Sequence, residues 1–184
     1  MTAERHVLVA GIGNVFLGDD GFGVEVVRRI DPEWLPDGVV VADYGIRGMH
    51  LAYELLDGRV DTLVLVDAVP LDGPAGTVAL LEVDPAGRRA ARADGAAAVA
   101  DAHGMDPESV LRLLHDLGGS VDRVLVVGCR PAVLDERMEL SDAVAGAVDE
   151  AVALVLDTVG DLVRGRDRAL GATSGSATRC EGGH

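Results

Sequence analysis

Five short apolar runs, each ending at a glycine or an acid, alternate with stretches of helical period along this chain. The clearest is Asp61-Thr-Leu-Val-Leu-Val-Asp67. Its middle residues are apolar or β-branched without in-and-out alternation, the pattern of a strand buried on both faces of a parallel sheet. His6 to Ala10, Val39 to Asp43, Thr77 to Val83 and Asp122 to Gly128 read as strands too. Helical period lies between them. In Gly21 to Ile30, residues Val24, Val27 and Ile30 share one face. Met49 to Leu56 reads as a second helix. A third starts at Asp106-Pro107-Glu108, with Asp as N-cap and Pro at the first helical position, and runs to about Leu117. The last opens at Leu140-Ser141-Asp142, with Ser141 as cap, and reaches about Val163. This alternation predicts an α/β fold, a three-layer sandwich of about five mostly parallel strands with helices on both faces. One domain is expected over residues 1–163, followed by a small, polar, disordered tail at 164–184. Asp84 to Ala102 is rich in Ala, Arg and Gly and lacks periodicity. It is expected to be a long mobile loop with at most a helical turn around Ala96 to Ala100.

Right-handed crossovers put every strand-to-helix loop at the carboxyl edge of such a sheet, where open α/β folds bind their ligands. Asp20 follows the first strand there, in the run Gly11-Ile-Gly-Asn-Val-Phe-Leu-Gly-Asp-Asp-Gly-Phe-Gly23. Asp67 ends the third strand at the same edge. His103 precedes the helix capped by Asp106 and can reach it. A glycine turn leaving a strand normally prepares a helix N-terminus for an anion. Here it carries two acids, which repel phosphate and attract a cation. Two carboxylates and an imidazole are a mixed oxygen and nitrogen donor set for a divalent metal, and imidazole suits nickel, zinc, copper or iron. Each residue also has an ordinary structural explanation: helix cap for Asp20, strand-end turn for Asp67, surface loop for His103. Asp19 reads first as a helix cap and second as an acid–base group.

Two rival chemistries draw on the same residues. Gly11-x-Gly13 after a strand is half a dinucleotide fingerprint, and Asp43 stands where a ribose-binding acid belongs. The third glycine position holds Phe16, however, and the acids would face a pyrophosphate. A serine hydrolase lacks its Gly-x-Ser-x-Gly elbow. Cys129 ends a strand with no evident partner base. His6, His50, His115 and His184 read as structural or solvated. A metal-carrying accessory protein without hydrolytic activity stays open.

The formal net charge of −15 opposes binding to nucleic acid or to an anionic membrane surface. Two cysteines make neither a disulfide framework nor a Cys-rich zinc site. There is no spanning segment of about 20 apolar residues. A soluble, cytoplasmic protein is expected, most simply a monomer.

Taken together, the ordered motifs resemble the hydrogenase maturation endopeptidases. Gly-x-Gly-Asn-x-x-x-x-Asp-Asp-Gly-x-Gly-x-x-Val, at Gly11 to Val26, resembles the opening of that family. Gly45-Ile-Arg-Gly48, Leu63-Val-Leu-Val-Asp-Ala68 and Ala102-His-Gly-Met-Asp106 resemble its later motifs. Val126-Val-Gly-Cys-Arg-Pro131 and Glu139-Leu-Ser-Asp-Ala143 follow in the same order. The resemblance implies an enzyme that removes a C-terminal extension from a nickel–iron hydrogenase large-subunit precursor after nickel insertion. It also implies that Asp20, Asp67 and His103 are the catalytic and nickel-recognising residues, with nickel supplied by the precursor. Where the family often has Glu, Asp20 is one methylene shorter. Its Gly-Gly-Thr-x-Gly turn is replaced by Asp43-Tyr44-Gly45-Ile46-Arg47-Gly48, which places the charge of Arg47 beside the cleft.

Overall fold

The computed structural model describes residues 6–85 and 106–174, with side chains in the last helix described through residue 165. The strands are β1 (His6–Ile12), β2 (Val39–Gly45), β3 (Val60–Ala68), β4 (Val78–Val83) and β5 (Arg123–Cys129). The helices are α1 (Phe22–Arg28), α2 (Gly48–Leu55), α3 (Pro107–Asp116), α4 (Asp142–Ala145) and α5 (Val148–Ser174). The sheet order is β2-β1-β3-β5-β4. β1 pairs in parallel with both β2 and β3, and β3 with β5, while β4 closes the edge antiparallel to β5.

Strand alternation sorts the apolar runs onto two faces. Val7, Val9, Val64, Val66, Val127 and Cys129 pack with Phe22 and Val26 of α1 and with Val148, Ala151 and Val155 of α5. Leu8, Ala10, Leu63, Leu65 and Val126 face the other way, onto Leu51 and Leu55 of α2 and Val110, Leu111 and Leu114 of α3. This is the expected sandwich, and it is why the strands read as continuously apolar.

Three local readings change. The helix expected from Gly21 starts as a 3-10 turn at Gly18–Gly21, and α1 follows at Phe22. The final helix is two helices, because α4 ends before Gly146 and α5 starts at Val148. α5 then continues to Ser174, past the expected stop near Val163; residues 175–184 lie outside the described residues. Helical period in Ala-, Val- and Leu-rich sequence carries no stop signal of its own, so the end at Val163 had no physical marker.

Candidate active site

β1 leads to α1 and then to β2 on one side, while β3 lies on the other, so the chain changes direction at the carboxyl ends of β1 and β3. Such a switch point leaves a crevice that no crossover covers. The glycines set how tightly α1 closes over it. A Cβ on Gly23 would stand 2.0 Å from the Val66 carbonyl oxygen and 2.4 Å from that of Ile12, so only glycine lets α1 rest on both strands. Gly13 has φ +124°, and a Cβ there would stand 1.9 Å from the Asp20 carbonyl oxygen. The space beside Gly13 is therefore filled by the chain's own backbone. In a dinucleotide site that space admits the pyrophosphate, so the rival reading loses its anion seat. The candidate ribose-binding acid, Asp43, is engaged as well: its Oδ2 pairs with Arg28 at 2.9 Å.

Asp67 is where the strand pattern predicts, at the end of β3, and is 5% exposed. Burial, and then the charge of Asp20, hold its carboxyl well above the usual carboxylate range. The Ala68 N–H pulls the other way, and Asp106 adds to the rise. Asp20 and Asp67, 47 positions apart, therefore act on one another, and Asp106 at the start of α3 joins their field. Asp20 is not the N-cap of α1, which is Gly21, without a side-chain cap bond. Instead its Oδ2 accepts the Asn14 N–H at 2.6 Å, which folds the carboxylate back over the glycine loop. Asp106 does cap α3, accepting from the Ser109 N–H at 2.8 Å.

His103 lies outside the described residues, as does nearly all of the segment expected to be a mobile loop, from residue 86 onward. Among the described residues no group of three or more His, Cys, Asp or Glu is arranged to hold a metal ion. Asp20 and Asp67 are two members of the expected trio.

Asp19 is the residue that sequence reasoning misplaced. It is not a helix N-cap: those of the 3-10 turn and of α1 are Leu17 and Gly21. It is fully buried, and its carboxylate accepts the backbone N–H groups of Ala132 and Val133, each at 2.8 Å. It also accepts the Ser141 N–H at 2.6 Å and the Ser141 hydroxyl at 2.9 Å. Burial opposes its ionisation, but bonds from Ser141, Val133 and Ala132 win, and its pKa lies below the ordinary 3.8. The Ser141 hydroxyl in turn accepts the Val144 N–H at the start of α4, the capping role expected of it. The first acid of the pair thus ties the loop after β5 to the glycine loop. The second stays at the crevice.

Other candidates resolve simply. Cys129 is fully buried, and burial, with the charges of Asp19 and Glu150, pushes its thiol up to about 11, which leaves no reactive thiolate. The Arg47 guanidinium turns onto its own corner and donates to the carbonyl oxygens of Asp43 and Tyr44. Tyr44, in the altered turn, is buried and donates its hydroxyl to Glu54 of α2.

The family model HycI, described as hydrogenase maturation protease, matches residues 24–158. The chain belongs to the hydrogenase maturation protease family. A putative hydrogenase maturation protease of Methanocaldococcus jannaschii is 33% identical over 159 residues, covering 85% of this chain and 97% of that protein. The hydrogenase 2 maturation peptidase from a Thaumarchaeota archaeon superposes with a TM-score of 0.61 at 31% identity, over 84% of this chain and 98% of its own. The hydrogenase maturating endopeptidase HybD from E. coli gives 0.64 at 25% identity, over 85% and 93%. This family member is accordingly a peptide-cutting enzyme of hydrogenase maturation. Among its described residues no helix is long and apolar enough to cross a membrane.

In this maturation protease, the raised Asp67 sets a stability prediction. A carboxyl whose folded pKa exceeds its ordinary 3.8 favours the fold when protonated. That contribution is complete below 3.8 and is lost as pH rises through the folded value. Asp67→Asn keeps the shape without the charge. The variant is expected to gain about 1–2 kcal/mol over the unaltered protein at pH 8, or about 3–6 °C in Tm. Near pH 4 the two should differ little. Equal melting temperatures at pH 8, measured by calorimetry, would remove the strain assigned to Asp67.

Proposed function

We propose that the protein is a cytoplasmic endopeptidase that removes the C-terminal extension of a hydrogenase large-subunit precursor carrying nickel. In this reading Asp20, Asp67 and His103 complete the coordination of that nickel. The observation that carries it is a buried carboxylate at the switch point whose ionisation is opposed by a second carboxylate beside it. Such a pair is unfavourable alone and becomes favourable when a divalent cation stands between its members. Family membership supplies the reaction class.

The precursor's nickel belongs to the substrate, so the pair acts as a test of loading. A nickel-free end meets two acids that gain nothing from it. A loaded end lets Asp67 ionise and bind, and the proton is released as the metal arrives. Selectivity then comes as much from rejection of the empty precursor as from attraction of the full one. Hard oxygen donors on Asp20 and Asp67 suit a divalent ion, and the imidazole of His103 would add the softer donor that nickel accepts. Once the end is held, an ionised carboxylate beside the scissile amide can take a proton from an attacking water, which makes the reaction of the aspartyl type.

The direct test offers the purified protein matched precursors with and without nickel and follows both by intact-mass spectrometry. The loaded precursor should lose a C-terminal peptide while the nickel-free one stays whole. Equal cutting of both would refute recognition through nickel. Loss of nickel to the protein without any cut would refute the proteolytic role and favour a metal carrier.

A further inference from the structure

The chain has two phenylalanines. Phe22 is fully buried, yet Phe16, four residues before Asp20, is 60% exposed. Met138 and Leu134, in the loop after β5, are also exposed. Exposed large apolar side chains mark a binding surface where they form a contiguous patch, and Phe and Met are enriched at protein interfaces.

These residues form one unit. Leu17 and Arg137 make a parallel bridge: the Arg137 N–H donates to the Phe16 carbonyl and the Gly18 N–H to the Arg137 carbonyl. The bridge sets Phe16 and Gly18 of the glycine loop level with Glu136 and Met138 of the loop after β5. Asp19 locks both segments from below through Ala132, Val133 and Ser141. The surface is therefore built before any partner arrives, which lowers the entropy lost on binding. It also runs directly into the crevice. The Phe16 N–H donates to Asn14 Oδ1, and the Asn14 N–H donates to the Asp20 carboxylate.

We propose that Phe16, Leu134 and Met138 form a docking ledge for an apolar, basic segment of the large-subunit precursor, delivering its end to Asp20. The inference rests on the proteolytic reading above. The basic character follows from charge: Asp135, Glu136 and Glu139 are all exposed along this loop and outnumber Arg137, which is exposed among them. An acidic segment would be repelled there and by the overall charge of −15.

The test compares the unaltered protein with Phe16→Ser/Met138→Ser and with Glu136→Lys, on the nickel-loaded precursor, by steady-state cutting and by capture of precursor on immobilised protein. The double variant should raise KM by about tenfold or more, with kcat at saturation within about threefold. Capture should weaken in parallel. Glu136→Lys should weaken capture most at low salt and flatten its salt dependence. An unchanged KM, or a fall in kcat at constant KM, would overturn the ledge, the second because it would mean the loop only shapes the crevice. Should the unaltered protein capture the precursor without cutting it, the proteolytic reading fails and capture alone decides the ledge. A precursor neither captured nor cut refutes both.

Discussion

Asp67→Asn is expected to abolish precursor processing, with a fall of about 10²–10⁴-fold in kcat/KM, while the fold is retained. The replacement keeps volume and a hydrogen-bonding oxygen at the end of β3 but cannot carry the negative charge that the proposed nickel contact needs. The pairing of outcomes is the informative part. Most substitutions at a 5% exposed position weaken a protein. This one should raise its stability at pH 8 while removing its activity, because it relieves a charge that burial and Asp20 both oppose. Such opposition between stability and activity is expected where function needs a destabilised group. Single-turnover cutting of nickel-loaded precursor, with calorimetry on the same samples, measures both. Full activity would take Asp67 out of the reaction, and a lower melting temperature would show a structural role instead.

Asp19→Ala is expected to have the largest effect on stability, a loss of about 3–5 kcal/mol. Four hydrogen bonds end on its carboxylate, three of them from backbone N–H groups. Alanine leaves those donors without an acceptor in a fully buried place. The loss should show in urea unfolding at pH 7. Because the folded pKa of Asp19 is lowered, its contribution is present above 3.8 and fades as pH falls through the folded value. The variant and the unaltered protein should therefore converge in strong acid. A loss under about 1 kcal/mol at pH 7 would mean that the loop after β5 is held by its other contacts. The neighbouring acids are thus expected to differ in kind, Asp19 in stability and Asp20 in processing.

That division was hidden in the sequence. Asp19 and Asp20 are adjacent and chemically identical, so local pattern assigns both to a helix start. Their separation depends on Ser141, which donates to Asp19 across 122 positions. No signal of period or spacing reports a contact of that range. The glycines are a similar case. Gly11-x-Gly13 is legible as a turn, but whether its space admits a ligand or the chain's own backbone depends on where the carbonyls of Gly23 and Asp20 come to rest.

Much else was decided locally and could be read locally. Continuous apolar runs gave the strands because both of their faces are covered, and the place of Asp67 at a strand end was legible because a charged residue ends such a run. Asp106 with Pro107, and Ser141, announced helix starts, since capping is settled within one turn of the chain. The order of motifs pointed to the family before any fold was known. Tertiary structure alone decided the order β2-β1-β3-β5-β4, which brings the ends of β1 and β3 side by side, and the antiparallel setting of β4. It alone raised Asp67 through burial and the charge of Asp20, and turned Phe16 outward. Caps and period are short-range effects fixed by neighbouring residues. Burial, charge coupling and close backbone approach belong to pairs that only the closed chain brings together.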